Sequence, residues 1–479
     1  MDWRVSLFSW SLLVFAVGHG FAQFDFGWGL LRGGSLIACM VVGLSLARAR
    51  RSSVTPLVLP RAARQAVALF VVLSLAYHAY AAADWNRRTH EADIIKLDQG
   101  QTLYRALRHF PEVNPYARGV LLDPKYYIQL IQRHYHSGCL HFPVEPPARE
   151  APASEHERWR RQMLQLATRL WWQDDLHAAQ QLMPRVESRL ACADAALGFD
   201  SLGFKYGPLT LATFAPGVAL FGKVGVFVTQ DLLFALICGL VWLAARVRAG
   251  AHTGVHWLAL ALLLSVPMLR DNLLRTSALD GTATVLCLAA LWLWLRGHGA
   301  VVAMLLGCAV GAKLLPTLLY LPLLLTLPRR CWLLFAACAI TPYLPFLVWD
   351  ARGLFDNVVM FPLTRGGNTT SLAFYLPAWA RPLHAAAFAV VMLGFLARAA
   401  RARFAVRPFM DYLLVAHMAL LAGSQILHNN YSVWFGPLLA LFVVELTPAP
   451  ERRVGHRSGD PNCEGGAALQ SHVGRASSP

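Results

Sequence analysis

Twelve apolar runs, near residues 5–23, 29–47, 64–83, 224–246, 254–270, 276–296, 299–312, 314–327, 331–349, 383–399, 410–425 and 431–446, set the solvent in which this chain folds. The 479 residues are 56% hydrophobic and only 15% charged, with a mean hydropathy of +0.44, far too apolar for a water-soluble globule. Lipid must serve as part of the solvent. The expected class is an all-α polytopic membrane protein with about twelve transmembrane helices. Several runs are shorter than the roughly 20 residues a span needs, and they lie beside Pro and Gly. Such broken backbone persists in a bilayer only where neighbouring helices shield it, so a cavity-forming bundle is expected. The first run, with Arg4 before it and G-H-G-F-A-Q at its end, also reads as a signal peptide; its removal would leave the later topology unchanged.

The net charge of +16 sits largely in arginines of short loops between apolar runs, where basic residues set orientation. That placement argues against a nucleic-acid partner. Arg48, Arg50, Arg51, Arg61 and Arg64 make the loop between the second and third runs cytoplasmic, so residues 1–83 form an N-terminal transmembrane unit and residues 84–205 a large first extracytoplasmic loop. Counting onward, Arg246, Arg248, Arg296, Arg329, Arg330 and residues 398–407 fall on the cytoplasmic side. Residues 270–275, Lys313, residues 350–381 and 428–431 fall outside. This holds on one condition: residues 206–222, broken by Pro208, Pro216 and Gly217, must dip in and return as a re-entrant helix. Residues 206–447 are then a transmembrane bundle, and the polar residues 448–479 a disordered cytoplasmic tail.

The extracytoplasmic loop carries two amphipathic stretches. In residues 90–116, Leu103, Leu107 and Phe110 share one helical face, while Asp98, Gln101, Thr102, Arg105 and Arg108 take the other, which suits a helix lying on a membrane surface. Further on, Trp159, Met163, Leu166 and Leu170 oppose Arg158, Arg160, Arg161, Gln165 and Arg169, a second helix expected to rest on the outer membrane face. The Pro-rich H-F-P-V-E-P-P-A-R-E-A-P-A separates them. His134, His136, Cys139 and His141 are dense enough to hold a divalent metal, but adjacent histidines in a polar loop are more often solvated, so no metal ligands or cofactor are assigned. Cys139 and Cys192 are the cysteines of this oxidising-side loop and can form a disulfide if their Cα atoms lie within about 7 Å.

Four motifs together resemble the GT-C superfamily of membrane glycosyltransferases, in particular its bacterial branch related to mannosyl- and arabinosyltransferases. The first is D-Q-G from Asp98, followed by N-P-Y at Asn114, Pro115 and Tyr116. K-Y-G-P-L-T-L-A-T-F-A-P is similar to the family's Y-P-P element, with Gly207 where the first Pro is usual. G-A-K-L-L-P-T-L-L-Y-L-P from Gly311 resembles G-x-x-K-x-x-P-x-x-x-x-x-P, with the glycine one residue closer to the lysine. H-N-N-Y-S-V-W-F-G-P resembles H-x-x-Y-x-x-W-x-x-P. The resemblance spans most of residues 90–446. It implies transfer of a sugar from a polyprenyl-phosphate donor to a lipid, glycan or protein acceptor outside the bacterial inner membrane, in cell-envelope assembly.

The residues fit that chemistry on their own terms. Glycosyl transfer needs a base for the acceptor hydroxyl, cations for a departing phosphate and a cleft for an isoprenoid. Asp98 is the candidate base, with Asp93 its rival and a surface-solvating role the plain alternative. Lys313, between two short apolar helices, is costly unless wetted or paired with an anion; it reads as a phosphate ligand or as a snorkelling anchor. Arg270, Arg275, Arg365 (in T-R-G-G-N), Tyr206, His428 and Tyr431 are further candidate binding residues. A polymerase or ligase using lipid-linked sugars shares these features. A transporter would show ionisable residues mid-span and two related halves, whereas Asp231 and Asp280 lie in the outer parts of their runs.

The arginine pattern predicts that a membrane-impermeant thiol reagent labels a cysteine placed at Ala153 in intact cells, and not one placed at Ser53. The reverse pattern contradicts the topology.

Overall fold

The computed structural model describes residues 59–91, 98–118, 137–142, 144–172, 185–186, 190–192, 203–250, 253–264, 279–361, 372–423 and 432–445, with single positions at 120, 122, 127, 130, 134 and 181. The chain is mostly helical. In order come α1 (Arg61–Glu91), α2 (Asp98–Arg108), α3 (Ala153–Trp172), α4 (Pro208–Phe221), α5 (Val224–Ala249), α6 (Val255–Leu264), α7 (Gly281–Arg296), α8 (Gly299–Ala312) and α9 (Leu314–Leu318). They are followed by α10 (Arg329–Ile340), α11 (Leu344–Phe355), α12 (Ala380–Arg401), α13 (Val406–Gly423) and α14 (Ser432–Glu445).

Among the described residues four helical stretches are long and apolar enough to cross a membrane: Arg61–Asp84, Val224–Ala249, Arg329–Met360 and Ala380–Arg401. This is fewer than the twelve expected. The first two apolar runs lie outside the described residues, and most of the others are apolar helices of 10–17 residues. Local chemistry cuts them short. Gly297 takes a left-handed conformation at φ 85° and ends α7, as glycine does at helix C-termini. Lys313 is extended at φ −158° and ends α8, and Pro316 and Pro322 then permit only a short helix and a 3₁₀ turn. The run expected at 331–349 instead continues through Pro342, a kink at Asp350 and a π-helical turn at Asp356–Met360.

α4 is one of these shorter apolar helices. Its 14 residues end at Gly222, φ 58°, where the chain reverses into α5. The two helices meet backbone to backbone: a Cβ on Gly225 would lie 1.9 Å from the carbonyl oxygen of Gly217, and one on Gly217 would lie 2.3 Å from Thr229 Oγ1. Only glycine fits that crossing.

Two buried clusters divide the molecule. The larger joins α5, α6, α7, α8, α13 and α14 through residues such as Ile237, Leu263, Leu291, Leu306, Leu413 and Phe435. The smaller joins α2 and the segment after it to α4 and the start of α5, through Leu103, Tyr116, Phe204, Phe214 and Phe227. At one end of the bundle, arginines lie over aromatic rings one turn earlier in the same helix: Arg246 over Trp242 at 5.0 Å, Arg296 over Trp292 at 5.9 Å, and Arg398 over Phe395 at 5.9 Å. These cations sit in last helical turns, where the carbonyl ends favour positive charge, and Arg248 shares a crevice there with Leu295, Val406 and Leu441. α7 runs from that basic rim back to Asp280 at the opposite end.

The fold is not purely helical. Leu140–His141 and Arg185–Val186 form a two-stranded antiparallel sheet, and beside it Cys139 and Cys192 are joined in a disulfide with Cα atoms 5.3 Å apart. The apolar face of α3 also departs from expectation. Trp159 and Met163 are buried, Trp159 stacking edge-on against Phe142 at 5.3 Å and donating Nε1–H to the carbonyl of Val144 at 3.3 Å. That face therefore packs within the loop, and only Leu166 is exposed among its described positions. α2 departs as well: Gln101, Thr102 and Arg105 are buried like Leu103, so that part of its polar face turns inward, while Arg108 stays exposed.

Gly225→Ala should force α4 and α5 apart and cost about 1–3 kcal/mol, the usual penalty of overpacking. Thermal unfolding in detergent checks this, and an unchanged midpoint would contradict the close crossing.

Candidate active site

The end of the bundle away from the basic rim is built on an ion pair. The fully buried carboxylate of Asp280, just before α7, accepts from Lys313 Nζ and, at 2.8 Å, from Trp434 Nε1 of α14. Lys313 keeps 20% of its side chain exposed. Its ammonium lies 4.5 Å from the ring centre of Tyr206 and 5.0 Å from that of Trp434, within range of the attraction between a cation and an aromatic face. The sequence leaves Lys313 as either a phosphate ligand or a snorkelling anchor. The structure supplies an anion in Asp280, which makes the charge tolerable at the end of two apolar helices.

Helix α4 starts against this pair. Gly207 N–H donates to the carbonyl of Ala312 at 2.8 Å, and Thr210 Oγ1 donates to the same oxygen at 3.1 Å. A Cβ on Gly207 would sit 2.1 Å from Gly311 O, so the position that departs from the family pattern is one where this packing leaves no room for a ring. Tyr206 O–H donates to Gln99 Oε1 at 2.8 Å, and the same oxygen accepts the N–H of Leu279 at 3.4 Å. The start of α2 is thereby fixed to Tyr206 and to the residue before Asp280.

The N-P-Y segment locks the loop in place. Asn114 Oδ1 accepts from Tyr116 N–H at 3.0 Å, Phe204 N–H donates to the carbonyl of Pro115 at 2.8 Å, and Tyr116 O–H donates to the carbonyl of Tyr206 at 2.7 Å. Burial, then the neighbouring Tyr343, push the Tyr116 phenol well above its ordinary value, so it remains a neutral donor. Asn357, in the π-helical turn, donates Nδ2–H to the carbonyls of Gly353 at 2.9 Å and Tyr116 at 3.3 Å. Asp350, at the kink, accepts from Gly353 N–H at 2.9 Å and Arg118 N–H at 3.2 Å. Kink and π turn thus serve as the seat of N-P-Y.

The structure brings together Lys313, Tyr206 and the helix that Asp98 opens, one residue before Gln99. Asp93, Arg270, Arg275, Arg365, His428 and Tyr431 lie outside the described residues. Sequence reasoning missed Asp280 and Trp434 as site residues. Trp434 was visible as the Trp of the late H-x-x-Y-x-x-W-like motif, whereas no spacing rule links Asp280 to a lysine 33 positions away. The suggested metal cluster loses Cys139 to the disulfide, His136 lies outside the described residues, and no group of three ligands able to hold a metal occurs among the described residues.

Asp280→Asn removes the carboxylate facing Lys313 and should cost on the order of 3–5 kcal/mol, as breaking buried pairs does, whereas replacing both partners with apolar residues, Asp280→Leu with Lys313→Met, should recover much of it. Thermal unfolding of the three proteins decides; a single variant as stable as the parent contradicts a structural role for the pair. No family model matches the chain, and comparison with curated proteins and with solved structures returns no match.

Proposed function

We propose that the chain is a polytopic membrane glycosyltransferase that moves a sugar from a polyprenyl-phosphate donor to an acceptor outside the bacterial inner membrane. In this reading the apolar runs form a bundle of about twelve spans, the short apolar helices included, and the Lys313 end faces the exterior. One observation carries the proposal: four distant motif-bearing segments are linked at one point where apolar helices end, Tyr206 and Trp434 flanking the partly exposed Lys313 and Gln99 accepting from Tyr206 O–H. A lipid phosphate needs a cation at that place, with apolar helix surface beside it for the isoprenoid.

The reaction then runs as a direct displacement. Asp98 takes the proton of the acceptor hydroxyl as its oxygen attacks the anomeric carbon. The bond from that carbon to the phosphate oxygen breaks, and polyprenyl phosphate leaves with the electron pair toward Lys313 and the arginines Arg270, Arg275 and Arg365. The configuration at the anomeric carbon inverts. Asp280 holds the ammonium in place, and Tyr206 and Trp434 flank it.

Asp98→Asn keeps size and removes basicity, and should lower sugar transfer by about 10²- to 10⁴-fold, the usual loss for a general base. Asp93→Asn is the matched control and should retain activity. Transfer by the Asp98 variant within a few-fold of the parent, alongside a dead Asp93 variant, assigns the base to Asp93; activity in both removes it from this segment.

A further inference from the structure

Gln99 has a part that its neighbourhood in D-Q-G does not announce. Its single side-chain oxygen accepts two hydrogen bonds from segments 107 and 180 positions away, the O–H of Tyr206 and the N–H of Leu279. Leu279 is buried and directly precedes Asp280, which holds Lys313; the ring of Tyr206 lies over the Lys313 ammonium. One amide oxygen therefore bonds Tyr206, which flanks the cation, and the residue before Asp280, which pairs with it. It also sits next to Asp98, the first residue of α2.

We infer that Gln99 is a positioning residue: it couples the base-bearing end of α2 to the Lys313–Asp280 pair, so that acceptor activation and phosphate departure keep a fixed separation. This rests on the transfer reading above, and its test is separable from it. A side chain that merely fills space would not accept hydrogen bonds from two segments so far apart in the chain. A side chain of equal length without that oxygen leaves a buried N–H and a phenol O–H to find new partners, which costs stability locally and frees the end of α2. Tyr206→Phe removes the same bond from the other side and keeps the ring over Lys313.

The test compares the parent with Gln99→Met, Tyr206→Phe and the double variant, purified in detergent, using as donor the lipid-linked sugar fraction extracted from parent membranes. Each single variant should lose turnover by roughly 10- to 100-fold, the scale of a misplacement of about 1 Å, with the donor KM little changed. The double variant should be no worse than the poorer single, because the bond lost in Tyr206→Phe is one of the two lost in Gln99→Met. Amide hydrogen exchange should show lost protection over residues 99–108 in all three variants, with α5 and α7 unchanged. Multiplicative losses in the double variant, or Gln99→Met with parental turnover and parental exchange, overturn the inference. If the parent itself transfers no sugar, the glycosyltransferase reading fails, and the exchange comparison alone decides whether Gln99 docks α2.

Discussion

The buried carboxylate of Asp280 is the point on which the rest of this end of the molecule depends. A lysine at the tip of two apolar helices is expensive in a low-dielectric setting, and the cost falls only if an anion and polar partners surround it. Asp280 supplies the anion, and Trp434 shares its oxygen. α7, α8 and α14 are therefore tied at one point by charge as well as by packing. The carboxylate is fully buried, whereas the lysine keeps 20% of its side chain exposed.

Backbone proximity does the rest. Gly207 lies against Gly311, and Gly217 against Gly225, so α4 is held between α8 and α5 with no side chain at either crossing. These contacts explain why a 14-residue helix stands where a span is too long to fit: its start is set by the lysine site and its end by the reversal at Gly222. The start of α2 and the N-P-Y segment then attach through hydrogen bonds of a few residues, Gln99, Tyr116 and Asn357, and not through a wide apolar interface alone.

Much of this was legible from the sequence, and the failures have physical causes. Pro and Gly near Lys313 announced broken helices, and the D-Q-G, K-Y-G-P, G-A-K and late aromatic motifs pointed to one end of the bundle. Spacing could not reveal Asp280, since its partner is chosen in three dimensions by the packing of α7 on α8. The periodicity of α2 was read correctly and its environment was not: amphipathicity separates two faces but does not say which meets water, and here the polar one holds the buried Arg105 and Gln101. α3 shows the same limit, its Trp159 finding Phe142 and not a membrane surface. The helix expected at 331–349 was cut too early because a kink at Asp350 and a π turn can be absorbed where Asn357 and Gly353 have tertiary partners.

The central claim, that this arrangement transfers sugar from a polyprenyl phosphate, is tested most directly by mass spectrometry of lipid extracts and envelope glycans from cells with and without the intact gene. The account predicts that a hexose, pentose or amino-sugar increment disappears from one envelope glycan or lipid, that its polyprenyl-phosphate-linked form accumulates, and that both return when the parent chain is restored. Identical glycans and identical lipid-linked sugars in the two strains would contradict it.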